Sequence, residues 1–188
     1  MKELIEGAGI FIYPLGACSL LAAFIIVERL YGLFSGRVCP PGLVKQLSEG
    51  EPVEPDDRSA LGRVVRFSRR DDVDKSAVKA VARVEVNRLE RGLVLLEMVI
   101  GAAPLIGLLG TVTGLIQVFA NISAETGMPE PQAFVEGVAL ALTTTVIGLS
   151  IAIPSLVANG YLQRRVETYA VQMESLIDLM YGREEEEA

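Results

Sequence analysis

GLVLLEMVIGAAPLIGLLGTVTGLIQVF, residues Gly92 to Phe119, is an apolar run of 28 residues without Lys or Arg. A second run of 29 residues, Phe134 to Leu162, reads FVEGVALALTTTVIGLSIAIPSLVANGYL, and a third, Ile10 to Val27, has 18 residues. A helix needs about 20 apolar residues, with a lower limit near 17, to cross a hydrocarbon core of about 30 Å. The sequence therefore predicts an all-α membrane protein with three transmembrane helices.

The first apolar run has a second interpretation. Leu15-Gly16-Ala17-Cys18 is similar to a lipoprotein cleavage site, which would place the mature start at Cys18. However, the leader carries Glu3 and Glu6 besides Lys2, and the apolar run continues to Val27. We therefore expect the run to be retained as a transmembrane helix.

Composition excludes several functional classes. Hydrophobic residues make up 51% of the 188 residues, the mean hydropathy is +0.41, and the pI near 4.8 argues against a nucleic-acid partner. The sequence has no His, and we find no phosphate-binding glycine loop, metal motif or nucleophile constellation. Two cysteines, Cys18 and Cys39, give no disulfide framework. We expect no enzymatic activity, no cofactor and no metal.

The distribution of basic residues predicts the orientation. Residues 28–91 hold thirteen Lys and Arg and residues 163–188 hold three, whereas residues 1–9 hold one and residues 120–133 hold none. Lys and Arg are enriched in cytoplasmic loops. We predict a multi-pass protein of the inner (plasma) membrane, with its N-terminus outside and its C-terminus in the cytoplasm.

Helical periodicity continues beyond the second and third runs. Apolar positions recur at helical spacing from Val78 to Leu96 and from Val166 to Met180. We expect helices over 74–120 and 135–181, each about 70 Å long. Joined by a short outer loop, they would form a long antiparallel hairpin that extends into the cytosol.

These boundaries divide the chain into six segments, which we predict as follows: an outer N-terminus and first transmembrane helix (1–33), a cytosolic linker with short helices such as Leu43–Ser48 and Ala60–Phe67 (34–73), the second-span helix (74–120), an outer loop (121–134), the third-span helix (135–181) and an acidic, disordered tail (182–188).

Small residues mark one face of each long helix. Such residues let membrane helices approach closely, and intramembrane prolines need neighbours that satisfy the freed backbone groups. Simple helix packing explains such a pattern as well as a functional role does. The candidate packing residues are Gly107, Gly110, Gly114, Gly137, Ala141, Gly148 and Pro154, and Thr144, Ala152, Ser155 and Asn159 continue the stripe of the third span.

Hydroxyl groups are the polar side chains at depth. Thr111 follows Pro104 by two turns, and Thr143, Thr144 and Thr145 lie near the middle of the third span. A single membrane Thr commonly bonds its own backbone. Residues 98–119 and 137–162 contain no Asp, Glu, Lys, Arg or His. Because a proton route normally uses a titratable group at depth, such a group would have to come from another polypeptide.

The sequence resembles a known family. APLIGLLGTVTGLI, from Ala103, and GVALALTTTVIGLSIAIPSLVANGY, from Gly137, are similar to the paired signature of the MotA/TolQ/ExbB proton-channel family, closest to its ExbB/TolQ branch. The first span ending in Glu28-Arg29-Leu30-Tyr31, the RLERGL stretch from Arg88 and the SALGRVVR stretch from Ser59 support the resemblance.

The resemblance implies a homo-pentameric ring around single-span partners of the ExbD or TolR type, whose membrane Asp carries the proton. Proton flow would serve biopolymer and protein transport through a TonB- or TolA-like protein, or envelope maintenance. The family's partner-facing threonines fall on Thr111 and Thr145. Pro104 and Thr144 complete the predicted proton pathway.

One position departs from the family pattern. Many relatives carry Glu where this chain has Leu140, and Glu136, one turn earlier, is a candidate replacement. Two alternative functions stay open from the residues: a flagellar-type stator subunit, which generally has four spans, and a non-conducting membrane scaffold. The client and the choice between H⁺ and Na⁺ are also open.

Overall fold

The computed structural model describes residues 9–33, 35–50, 58–70, 73–120 and 131–187, and the regular elements within them are helical. The predicted outer N-terminus at 1–8, the middle of the linker at 51–57 and most of the outer loop, at 121–130, lie outside the described residues. The elements are a 3-10 turn at Gly9–Phe11, α1 (Ile12–Gly32), α2 (Ser35–Val38), α3 (Pro41–Glu49), α4 (Ala60–Ser68), α5 (Lys75–Ala120) and α6 (Pro131–Glu187).

Three of these segments are long and apolar enough to cross a membrane: Gly9–Gly32, Lys75–Ala120 and Pro131–Gly182. This confirms an all-helical protein with three candidate spans. The two short linker helices were predicted within two residues of α3 and α4. Gly50 ends α3 in the left-handed conformation, at φ 77°, and Ser59 caps α4 by accepting a hydrogen bond from the Gly62 amide at 3.0 Å.

The last helix is longer than predicted. α5 has 46 residues, close to the expected 47, but α6 has 57, beginning four residues before 135 and ending six residues after 181. Proline fits the first position of a helix because its φ is already helical and its missing N–H needs no partner there, so α6 begins at Pro131. A single glycine inside a helix costs only about 1 kcal/mol, so Gly182 does not end α6. The segment predicted to be a disordered tail is therefore helical through Glu187.

The chain forms two compact units, of which the first combines Met1–Ile26 with Val94–Asn159. It contains residues 9–26, 94–120 and 131–159 of the three candidate spans. Large apolar side chains cover much of its surface. Leu105, Phe119 and Val157, for example, are each more than 60% exposed. Such a surface is expected of a protein that is covered by lipid or by other membrane helices.

The second unit comprises Val27–Leu93 and Gly160–Ala188. Its core contains Val64, Val78, Ala82 and Ile177, and the Tyr181 hydroxyl donates to the Val73 carbonyl at 3.2 Å. The periodic positions identified in the sequence lie on buried or half-buried faces of α5 and α6. The buried ones are Val78, Glu85, Leu93, Leu96, Val166, Tyr169, Met173 and Leu176.

Candidate functional site

The small-residue stripe of α6 is buried along its whole length. Its seven members are Gly137, Ala141, Thr144, Gly148, Ala152, Ser155 and Asn159. They face a matching buried row on α5 at Ala103, Gly107, Gly110 and Gly114. The stripe therefore lies between α5 and α6 in the first unit.

The contacts across this face show how closely the helices approach. A Cβ atom on Gly148 would lie 2.5 Å from the Ala103 carbonyl oxygen, and one on Gly107 would lie 2.9 Å from the Thr144 carbonyl oxygen. A Cβ on Gly114 would collide with the backbone of Gly137. Higher numbers on α5 meet lower numbers on α6, so the two helices are antiparallel within this unit.

Three residues lie apart from this face. Gly101 is exposed, and a Cβ there would meet nothing within 4 Å. Pro104 is half-buried on α5. Pro154 is exposed and lines a groove of about 590 Å³ between α1 and α6, together with Ser19, Ala23 and Ser150. Pro154 therefore lies beside α1, whereas Gly137 and Gly148 of the same helix lie against α5.

Thr144 is fully buried between α5 and α6. Its hydroxyl lies 2.9 Å from the carbonyl oxygen of Leu140 on its own helix and 3.2 Å from that of Gly107 on α5. Gly110 makes room for the side chain, because any Cβ there would overlap Thr144. The geometry favours a packing role within one subunit for Thr144.

Thr111 and Thr145 are in a different environment. Both are half-buried; Thr145 donates to the Gly107 carbonyl at 3.3 Å, and Thr111 donates to the Leu108 carbonyl at 2.6 Å. Viewed from the amino end of its own helix, each threonine lies about 60° to 70° around the helix axis from the centre of the buried row. The direction of this rotation is the same for both. Because the helices are antiparallel, these equal rotations bring the two threonines to the same side of the pair. Pro104 lies on that side as well.

The first helix packs on another face of α6. Ile147, Ser150 and Pro154, which line the groove with α1, lie about 140° to 180° of rotation from Thr145. Thr145 and Thr111 therefore point away from α1, to a side where another membrane helix can approach.

Glu136 and Leu140 do not share the side of Thr145. Glu136 is exposed and accepts a hydrogen bond from the Gln132 amide at 3.0 Å. It lies nine residues before Thr145, which is about 180° around the helix. The Leu140 side chain lies close to Gly9, in the 3-10 turn that precedes α1. Glu136 and Leu140 are one turn apart and lie on the same face of α6, so the replacement of a carboxylate at Leu140 by Glu136 stays a prediction.

Two polar residues meet at the opposite end of the spans. Asn159 is 5% exposed, and its amide nitrogen lies 3.5 Å from a carboxylate oxygen of Glu97. The amide oxygen of Asn159 is buried and has no hydrogen-bond partner among the residues that the structure describes. The sequence showed each residue separately, but only the antiparallel pairing shows that they meet.

The fold and these faces define a class: a multi-pass helical membrane protein whose close-packed helix pair carries hydroxyls on one side. A family model for the MotA/TolQ/ExbB proton channel family matches residues 54–175. The chain belongs to the MotA/TolQ/ExbB proton channel family, and its curated relatives are of the ExbB branch, in agreement with the resemblance found in the sequence.

Three relatives illustrate the similarity. The chain is 30% identical over 173 residues to biopolymer transport protein exbB1 of Vibrio cholerae, covering 83% of this chain and 76% of that protein. It is 31% identical over 202 residues to the putative biopolymer transport protein ExbB-like 1 of Synechocystis, covering 96% and 78%. It is 34% identical over 105 residues to biopolymer transport protein ExbB of Helicobacter pylori, covering 56% and 69%.

Proposed function

We propose that this chain is the channel subunit of an inner-membrane, proton-driven motor that energises biopolymer transport or envelope maintenance. The observation that carries the proposal is the position of Thr111 and Thr145 on one side of the helix pair, away from α1. A route along this side has hydroxyls and backbone carbonyls but no Asp, Glu, Lys, Arg or His between residues 98 and 119 or between 137 and 162. The proton carrier at that depth comes from a partner.

The partner is a single-span helix of the ExbD or TolR type with an Asp in the membrane. Five copies of this chain form a ring around such helices, and the side that carries Thr111 and Thr145 faces inward. The antiparallel contacts in the first unit support this arrangement, because they hold both threonines rigidly on one side. The helix pair extends into the cytosol as a long hairpin, and the ring transmits work through a TonB- or TolA-like protein.

The driving energy is sufficient for such a motor. One charge that crosses a potential of 100 mV releases about 2.3 kcal/mol. A carboxylate on the partner is charged before it takes a proton and neutral afterwards, so its attraction to the hydroxyl-lined side changes with each proton. This cycle converts proton flow into movement of the partner relative to the ring.

Flux measurements in vesicles test the proposal. Vesicles that contain only this chain should hold an imposed pH gradient, whereas vesicles with the chain and its partner should dissipate it. Replacing the partner's membrane Asp by Asn should restore the gradient. Rapid proton flux through the chain alone would contradict the proposal, and so would a partner-containing complex that conducts no protons under any imposed gradient.

A further inference from the structure

The polar side of the helix pair continues to one end of the spans. Along α5, Glu97, Pro104 and Thr111 are spaced by seven residues, and along α6, Thr145, Ala152 and Asn159 have the same spacing. A seven-residue step rotates an α-helix by only about 20° from two full turns. Each set of three therefore follows one line along its helix. The α5 line ends at the exposed Glu97, and the α6 line runs into the buried face at Ala152 and Asn159.

These lines end at a titratable group. Glu97 lies 14 residues from Thr111, which is about 21 Å along the helix, and Asn159 lies the same distance from Thr145. The two ends meet, since the Asn159 amide nitrogen approaches the Glu97 carboxylate at 3.5 Å. Glu97 is exposed, so its carboxylate is accessible from outside the helix pair.

An independent observation at Asn159 indicates that a small molecule binds there. Its side chain is buried between the helices, yet its amide oxygen has no hydrogen-bond partner within the described parts of the chain. A buried polar atom of this kind costs about 1 to 3 kcal/mol unless a donor satisfies it. The neighbouring Ser155 hydroxyl donates to the Ile151 carbonyl at 2.7 Å. A bound water molecule would satisfy this oxygen, because buried waters typically donate to such otherwise unpaired polar groups.

We infer that Glu97 is the proton acceptor at the end of the channel where it meets Asn159, and that Asn159 positions the Glu97 carboxylate. This inference rests on the proposed function and names the residue that completes the route. The Glu97 carboxylate accepts a proton from a hydronium ion of the route, which is left as water, and becomes a neutral carboxylic acid. It returns to the carboxylate when the proton passes to bulk water. Asn159 acts through Glu97 by donating to one oxygen and by holding the adjacent water with its amide oxygen.

The Glu97→Gln substitution separates this role from a structural one. The Gln amide oxygen still accepts a hydrogen bond from Asn159, but the side chain cannot take up a proton. Partner-dependent proton flux in vesicles should fall at least about tenfold, because a proton-transfer group typically contributes about 10²–10⁴-fold to a rate. Glu97→Asp keeps the carboxylate and should retain most of the flux. Glu167→Gln, the same change on an exposed position of α6, is the matched control.

Asn159→Leu tests the positioning residue. The variant should lower the flux in the wild-type background but cause no further loss in the Glu97→Gln background, because it acts through Glu97. Asn87→Leu, at an exposed position of α5, is the control. Complex assembly is measured for every variant by size-exclusion chromatography.

The outcomes distinguish the inference from the proposed function. If Glu97→Gln conducts as well as the wild type, or if Gln and Asp reduce the flux equally, the inference is overturned, while the channel function stands on the partner-dependent flux of the wild type. If the wild-type complex itself shows no such flux, the proposed function fails and the inference fails with it. Loss with Gln and retention with Asp support the inference.

Discussion

Gly148 lies where the backbones of α5 and α6 approach closely. A Cβ there would lie 2.5 Å from the Ala103 carbonyl oxygen, and a backbone atom cannot move aside as a flexible side chain can. Gly148→Ala should therefore destabilise the helix pair by about 1 to 3 kcal/mol. The measurement is thermal unfolding in detergent.

Gly101→Ala is the matched control for this substitution, because a Cβ at Gly101 meets nothing within 4 Å. Its melting temperature should stay close to that of the wild type. Equal destabilisation by both alanines would mean that close packing at Gly148 is not the cause.

The hydroxyl of Thr145 can be removed with little change in shape. Thr145→Val deletes the donor to the Gly107 carbonyl, an interhelical bond of a kind that averages about 0.6 kcal/mol in membranes, so assembly should be nearly normal. Partner-dependent proton flux should nevertheless fall about tenfold or more if the hydroxyl takes part in proton transfer. Thr111→Val should behave similarly.

Thr143→Val is the control for these two variants, because Thr143 lies about 160° around α6 from Thr145. It should conduct like the wild type. If all three valine variants conduct equally, the hydroxyls have only a packing role.

The difference between Thr144 and Thr145 shows the limit of prediction at this scale. Periodicity predicted the small-residue stripe, and its seven α6 members are all buried. The predicted proton pathway nevertheless included both threonines, because these consecutive hydroxyls both lie opposite a glycine-rich helix. The register of the two helices is set by contacts between residues that are far apart in sequence, such as Gly107 with Thr144. Local sequence patterns therefore do not predict this register.

At the scale of the elements, α4 is attached to α5 by a buried carboxylate. Glu85 is 4% exposed and pairs with Arg63 of α4, and it also accepts from Arg88 at 2.8 Å. The apolar face of α4, with Leu61, Val64 and Val65 buried, packs in the same unit. Glu85 appeared in the sequence as one member of an otherwise apolar face, and only the structure supplies Arg63 as its partner.

Glu85→Ala should weaken this attachment. Removing one partner of a buried ion pair typically costs about 3 to 5 kcal/mol, and we expect about 2 to 3 kcal/mol here because Arg63 is partly exposed to water. The α4 amides should exchange hydrogen faster than in the wild type. The double variant Glu85→Leu with Arg63→Met should protect α4 better than Glu85→Ala does. The same protection in Glu85→Ala as in the wild type would show that the apolar face alone holds α4.

A second electrostatic link joins the ends of α5 and α6 in the second unit. The Asp178 carboxylate accepts from Lys79 at 2.8 Å and lies 3.2 Å from Lys75. These hydrogen bonds, chiefly that from Lys79, lower the pKa of Asp178, and the bond to Asp178 raises the pKa of Lys79. Because the pKa of Asp178 is lower in the folded state, its contribution to stability is present above its unfolded value, about 3.9, and is lost as the pH falls through the folded value.

The difference in stability between wild type and Asp178→Asn should therefore be constant from about pH 5 to pH 9 and should shrink below about pH 4. Since both groups are at the surface, the effect should be small and should decrease with salt. Chemical denaturation at several pH values measures it. A difference that grows on acidification would contradict the assignment of this pair.

At the scale of the whole molecule, length and hydropathy were sufficient to predict three spans, because each must be apolar along its whole length to cross lipid. The ends of α6 were harder to predict. A Pro-rich segment was expected to be a loop, but Pro131 begins the helix, and Gly182 does not end it. Breaker residues act through the few residues around them, whereas helix length is decided by the packing of the entire face.

The orientation in the membrane is tested by cysteine labelling. Gln132 and Ser48 are both exposed, and the distribution of Lys and Arg predicts that they lie on opposite sides of the membrane. With Cys18 and Cys39 replaced by Ala, Gln132→Cys should react with an impermeant maleimide in intact spheroplasts, and Ser48→Cys should react only after permeabilisation. Native Cys39 should stay unlabelled in folded protein, since burial raises the pKa of its thiol to about 12 and the thiolate is the reactive form. Labelling of Ser48→Cys in intact spheroplasts, with Gln132→Cys unlabelled, would reverse the orientation. The Glu97 end of the helix pair would then lie outside. In that case Glu97 would receive protons at the entrance of the channel instead of releasing them to the cytosol.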